Sequence, residues 1–297
     1  MEKRKGNFEH MEYNDEILKK LHDCELMILD DFISVCEENH LTWWAFGGTG
    51  IGALRHQGFI PWDDDIDVCV MREDMDQLVR AFQQRFPDKY QVLNTDLFPS
   101  YPVPLTQITL KNSVFVEESL QYVKDVPLGI FLDVYAFDHV ARDPAAAKRQ
   151  AWKTWFWGKM MILTAVPFPM LAYRGIKKKL IHAATATVWA VLRLLRVSPR
   201  SFYARLKKAA TRYNQEPADA YAYFNDTSPF TNTYTKEDLF PLQALPFEGR
   251  QVLFPHELDK TLRVLYGDYM QLPPPEKRKN HFPVRLKFPD EDQVYTR

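Results

Sequence analysis

Residues Asp63-Asp64-Asp65-Ile66-Asp67 put four carboxylates into five positions. Asp65 and Asp67 are spaced i, i+2, so on a strand they project from one face. Two carboxylates in reach of each other repel unless a cation lies between them. Hard oxygen ligands of this kind suit Mg²⁺ or Mn²⁺, which complete their shell with phosphate oxygens. Such an ion neutralises charge in an in-line displacement at phosphorus. Asp133, in a later apolar run, adds a third carboxylate if the two strands pair. Taken alone, the acidic run reads first as a solvated turn. It is no EF-hand, because Asp67 falls in an apolar strand and no glycine or terminal glutamate is correctly placed.

The elements around these acids give the run a context. Apolar residues from Ile17 to Val35 recur at helical spacing, predicting a helix over 14–39 with Asn14 as N-cap. Strands are expected at Leu41–Phe46, Ile66–Met71, Tyr90–Leu93, Gln107–Val116 and Gly129–Phe137, with a helix over Glu73–Phe86 and another near His256–Tyr266. Gly47-Gly48-Thr49 stands where the first strand turns into a helical stretch ending at His56. Glycines there let backbone N–H groups approach a phosphate, and a helix N-terminus favours anions. The whole predicts an α+β fold, a mixed β-sheet core flanked by helices.

Composition narrows the class. The chain has 297 residues, 46% hydrophobic, with a net charge of −1. That neutrality hides an asymmetry. Between Pro144 and Gln215 there are 15 Lys or Arg and no Asp or Glu, leaving 23 basic against 39 acidic residues elsewhere. Within this stretch Leu180, Ile181, Ala184, Val188, Val191, Leu192 and Leu195 share one helical face, flanked by Lys177, Lys178, Lys179, Arg193 and Arg196. It reads either as a surface facing anionic lipid or as a helical subdomain packing its apolar stripe on the core. No recognised module supports nucleic-acid binding. Three cysteines without a CxxC spacing fit a reducing compartment. No signal peptide and no uninterrupted apolar span are evident, predicting a cytoplasmic protein, peripheral at most on the inner face of the membrane.

The order of a Gly-Gly turn, an Asp-x-Asp pair and a later acid resembles the nucleotidyltransferase-like superfamily, with a longer gap between turn and pair than in many members. The match narrows further. Phe46-Gly47-Gly48-Thr49-Gly50-Ile51-Gly52-Ala53-Leu54-Arg55-His56-Gln57-Gly58-Phe59-Ile60-Pro61-Trp62-Asp63-Asp64-Asp65-Ile66-Asp67 looks like the hallmark segment of the LicD family, phosphocholine transferases related to fukutin and fukutin-related protein. Leu132-Asp133-Val134-Tyr135, Leu245-Pro246-Phe247-Glu248-Gly249, Tyr266-Gly267-Asp268-Tyr269-Met270 and Leu272-Pro273-Pro274-Pro275-Glu276-Lys277-Arg278, with His281 after it, are similar to its later blocks. The resemblance spans roughly residues 15–285 and is weakest over 144–240.

That resemblance implies a nucleotidyltransferase-like core, expected over 1–143 and completed by a C-terminal part, 221–297; the shift in composition marks 144–220 as a basic helical insert between them. It implies that Asp65, Asp67 and Asp133 are the metal and catalytic acids. It implies a CDP-linked alcohol as donor, CDP-choline first, and a glycan or lipid-linked glycan acceptor of the teichoic acid or lipopolysaccharide kind, with release of CMP. Gly48, Thr49, Arg55, His56, Asp64, Lys277, Arg278 and His281 are then the expected substrate-binding residues. Arg55 would clamp the diphosphate, and Asp64 would orient a ligand. Asp133 is either ligand or general base. Trp43, Trp44 and Trp62 are either core residues or an aromatic cage for choline. Membrane contact would run through 160–212. Nucleotidyl transfer from an NTP and a membrane-associated, non-catalytic scaffold remain as alternatives.

Overall fold

The computed structural model describes residues 13–169, 175–275, 278 and 280–296. The chain opens with α1 (Asp15–Glu38), where the Asn14 side chain accepts from the Glu16 N–H at 2.9 Å and two acids occupy the first turn. Both devices offset the unsatisfied N–H groups of the helix start. There follow β1 (Trp43–Ala45), α2 (Gly47–His56), β2 (Asp67–Met71), α3 (Arg72–Arg85), β3 (Tyr90–Leu93), β4 (Thr106–Leu110), β5 (Val114–Val116) and β6 (Phe131–His139). The middle of the chain is helical: α4 (Pro144–Leu163), α5 (Gly175–Leu194) and α6 (Pro199–Ala210). It returns through β7 (Ala220–Tyr223), β8 (Asn232–Thr235), α7 (Lys236–Leu239), β9 (Gln243–Phe247), β10 (Arg250–Phe254), α8 (Leu258–Tyr266), β11 (Arg285–Lys287) and β12 (Tyr295–Thr296).

The expected α+β core is present. Its main sheet has seven strands in the order β1-β2-β6-β4-β3, with β7 also on β6 and β8 outside it. β2 and β6 are parallel, and the other neighbours are antiparallel. β6 is long enough to serve two partners on one side. Its first half pairs with β4 at Phe131–Val134, and its end pairs with β7 at Asp138 and His139. One face of the sheet buries Ile28, Leu29, Phe32 and Leu78 from α1 and α3. The other buries an aromatic cluster that includes Trp44, Phe137, Tyr223 and Tyr234.

One expectation changes and one alternative closes. The single strand expected over Gln107–Val116 is two, because Asn112 takes a left-handed φ of +64° and turns the chain. β5 then leaves the main sheet to pair with β11. The aromatic-rich first strand buries Trp43 and Trp44 completely enough that neither is free to form a cage.

The basic stretch folds as three helices. α4 and α6 pack together, and Ala151 and Ala210 meet Ala222 and Phe224 beside β7. Gln150 seals this joint by donating to His139 O and Ala210 O and accepting from Ala141 N–H. α5 differs. Only Leu192 of it is buried, while Leu180 is 65% and Leu194 82% exposed. Most of the apolar stripe therefore does not pack on the core. Among the described residues no single helix is long and apolar enough to cross a membrane; α5 with 199–213 passes that test only as a pair bent by 109°.

Candidate active site

β2 and β6 bring the key acids together. Their parallel register sets Asp67 opposite Asp133. A further bond from Asp133 N–H to Ile66 O, 3.1 Å, extends the pairing toward Asp65. The Asp67 N–H donates to Thr49 Oγ1 at 3.0 Å, and Phe46 N–H donates to Asp67 O at 3.3 Å, so α2 is docked on the start of β2. The turn needs glycine: Gly47 has φ +60°, and a Cβ on Gly48 would lie 2.8 Å from Asp63 Oδ2. No side chain caps the start of α2, whose first turn holds no acid. Thr49 is thus a buried tie between α2 and β2.

The electrostatics are those of crowded carboxylates. Burial first, then the charges of Asp65 and Asp133, push the Asp67 carboxyl well above the usual range. Burial also raises Asp133, against a 2.9 Å hydrogen bond from Gln107 Nε2 that lowers it, with Asp65 adding to the rise. Asp63 is raised by burial and by Asp65 and Asp64. Asp67 Oδ1 is buried with no partner. An orphaned carboxylate oxygen inside a group of like charges is the site a hard divalent cation would satisfy.

The two ends of the acidic run play different parts. Asp64 is fully buried and accepts from the Tyr13 hydroxyl at 2.6 Å and from His281 N–H at 2.7 Å. His281 Nδ1 lies 3.3 Å from Asp64 Oδ1 and 3.2 Å from Asp65 Oδ2. Hydrogen bonds to these two acids raise its pKa strongly, so without a metal the ring is a cation between them. Asp64, Asp65 and His281 each place a ligand atom within 4.8 Å of the others, a group able to hold a metal ion.

A basic rim lies beside the acids. Arg278 stands 4.3 Å and Arg55 5.9 Å from the Trp62 ring centroid. Arg55 also donates to Tyr269 O at 2.7 Å and to His56 Nε2 at 2.8 Å. His56 therefore accepts, and burial with the Arg55 charge lowers its pKa, so at neutral pH it is uncharged. Trp62 is a stacking surface for guanidinium groups. Lys277 lies outside the described residues.

Residues 40–117 match the family described as LicD/FKTN/FKRP, nucleotidyltransferase domain. Over 270 residues the chain is 27% identical to the lipopolysaccharide cholinephosphotransferase LicD of Haemophilus influenzae, covering 86% of this chain and 92% of that protein. Uncharacterized proteins of Rickettsia prowazekii and Rickettsia typhi are 38% identical over 60 residues, 19% of this chain and 23% and 19% of theirs.

Several residues around this site escaped sequence reasoning. Glu25 of α1 is buried, its Oε2 has no partner, and burial with the charges of Asp65 and Asp64 pushes its carboxyl well up. Its signal was an acid on the apolar stripe, between Leu21 and Leu29. Glu117 is likewise raised, first by burial, with His281 opposing. Gln107 interrupts a buried strand, a polar residue in Thr-Gln-Ile-Thr-Leu. Glu248 accepts from Phe59 N–H at 3.1 Å and donates its own N–H to Gln57 O at 2.8 Å. The Leu-Pro-Phe-Glu-Gly block thereby braces the loop that delivers the acidic run.

Proposed function

We propose that this chain is a metal-dependent transferase moving a phosphorylated alcohol, phosphocholine first, from a CDP-linked donor to a hydroxyl of a cell-surface glycan or its lipid-linked precursor. The observation that carries it is the register of Asp67 on Asp133, which sets a second acid beside the acidic run of the segment, 40–117, similar to the LicD family. The relative of similar length acts as a lipopolysaccharide cholinephosphotransferase, which favours choline and a glycan acceptor.

Asp65, Asp67 and Asp133 would hold Mg²⁺ or Mn²⁺. Asp64 fits less well as a ligand, since both of its oxygens already accept hydrogen bonds. Bound there, the ion supplies charge neutralisation on the phosphate oxygens and alignment of the displacement. The chain's own residues do the rest. Arg55 and Arg278, held against Trp62, bind the diphosphate as planar forks. The His281 cation offsets charge at Asp64 and Asp65. Gln107 fixes the Asp133 carboxylate. In the transfer, the acceptor oxygen forms a bond to the phosphorus bearing the alcohol, the bond from that phosphorus to the CMP oxygen breaks, and the hydroxyl proton passes to a carboxylate of the cluster.

The test is direct. Purified protein with CDP-choline, Mg²⁺ and glycan acceptors should release CMP and label the acceptor. Pyrophosphate release from an NTP, with no CMP from any CDP-alcohol, would replace this reading with nucleotidyl transfer.

The same reading includes a peripheral membrane contact through α5, where an acceptor linked to lipid would reside. Its support is an exposed apolar stripe flanked by lysines and arginines, with no acid between 144 and 215. Juxtamembrane basic residues contribute about 1 kcal/mol each at an anionic surface. The protein should sediment with phosphatidylglycerol vesicles at low salt and be released by roughly 0.5 M salt, where the Debye length falls below about 5 Å. Equal recovery with neutral phosphatidylcholine vesicles would remove the electrostatic contact.

A further inference from the structure

Asp67 is not only a neighbour of the acids on β6. It also lines a cleft of about 410 Å³, together with Phe46 and Gly47 at the start of α2. The other walls are unusual in chemistry. Phe46, Tyr135, Tyr223 and Tyr266 line it with ring surface, and Asp226 adds a second carboxylate. No lysine or arginine is among its lining residues. Lys159 donates to the backbone oxygen of the lining residue Asn225 but is not itself part of the lining.

The rings are fixed rather than loose. Tyr135 is held edge-to-face between Phe46, 4.9 Å away at 74°, and Tyr223, 4.9 Å away at 87°. Asp226 is oriented by hydrogen bonds from Asn232 Nδ2 at 2.7 Å and from the Thr227 N–H. Tyr266 is 52% exposed and stands at the mouth, its hydroxyl close to Gly47. Preformed aromatic walls with an acid and no base attract a cation whose charge is spread over methyl groups. The polar remainder of the lining, Asn225, Thr227, Thr231 and Asn232, is neutral, so the cleft supplies two negative charges and no cation to pair with a phosphate.

We propose that this cleft is the subsite for the quaternary ammonium head of the donor, with Asp226 and Tyr266 as its specificity-determining residues. The proposal rests on the transferase reading, since it takes the phosphates of the same ligand to lie at Asp65, Asp67 and Asp133. The head group then sits in the cleft that Asp67 borders, and the cleft selects the alcohol while the acids and Arg55 handle the diphosphate.

Calorimetry in Mg²⁺ with CDP-choline, CDP-glycerol and CDP tests it. The wild type should prefer CDP-choline. Asp226→Asn and Tyr266→Ala should each weaken CDP-choline roughly tenfold and leave CDP within about twofold. Equal weakening of CDP and CDP-choline would overturn it, because the cleft would then hold the nucleotide. Unchanged CDP-choline affinity in both variants would overturn it too. Saturation-transfer NMR with phosphocholine separates the two readings. Transfer to the methyl protons that Asp226→Asn abolishes, without any CDP-alcohol binding, keeps the cleft and removes the CDP donor. CDP binding with no methyl transfer and no preference for choline keeps the donor and removes the cleft.

Discussion

Asp67→Asn is expected to abolish transfer and to stabilise the metal-free protein at once. Loss of one carboxylate that would hold the ion should lower turnover by about 10²- to 10³-fold. The stability change follows from the direction of the shift. The folded-state pKa of Asp67 is raised by burial and by Asp65 and Asp133. A raised carboxyl binds its proton more tightly folded than unfolded, so it costs stability as pH climbs past the unfolded value. Asparagine removes that cost at neutral pH. A gain of about 1 kcal/mol would raise the melting temperature of the metal-free variant by roughly 2–4 °C. Addition of Mg²⁺ should then stabilise the wild type but not the variant. Thermal melts with and without Mg²⁺, beside a CMP-release assay, read both effects. A variant that turns over like the wild type, or gains equally from Mg²⁺, refutes the placement of the ion at Asp67.

The second large effect lies away from the chemistry. Asp138→Ala should destabilise the fold by about 3–5 kcal/mol, the cost of leaving a buried charge without its partner. Arg72, at the start of α3, is 11% exposed and Asp138, near the end of β6, is 2% exposed. Arg72 Nε lies 3.1 Å from Asp138 Oδ1 and Nη2 lies 2.9 Å from Oδ2, and Asn214 donates to Oδ1 at 2.9 Å. Asn214 also accepts from His139 N–H, so one cluster ties α3, β6 and the exit from the basic helices. The double variant Arg72→Met/Asp138→Leu should recover most of the loss, because no unpaired charge remains. Urea unfolding measures both; a single-variant loss under 1 kcal/mol would show that water reaches Arg72.

Much of this was legible in the amino-acid order. The helix of 14–39 and the strand of Tyr90–Leu93 were readable because each is written in local periodicity: a cap, an apolar stripe, an apolar run between turn residues. The split of Gln107–Val116 was not, since it depends on Asn112 adopting a left-handed backbone. The apolar stripe of α5 was legible as a helix face, but whether the core would cover it was not.

The site divides along the same line. The i, i+2 spacing of Asp65 and Asp67, the Gly-Gly-Thr turn and the long segment similar to the LicD family are properties of contiguous residues, and the sequence by itself determined them. Only the tertiary structure decided that Asp133 stands opposite Asp67, that Asp64 is spent on Tyr13 and His281, that Glu25 and Glu117 join the cluster, and that Trp43 and Trp44 are core while Trp62 carries Arg55 and Arg278. The reason is physical. Pairing across strands and closure of distant loops are set by burial summed over the whole chain, whereas the spacing of Asp65, just before β2, and Asp67, at its start, is fixed by the chain itself.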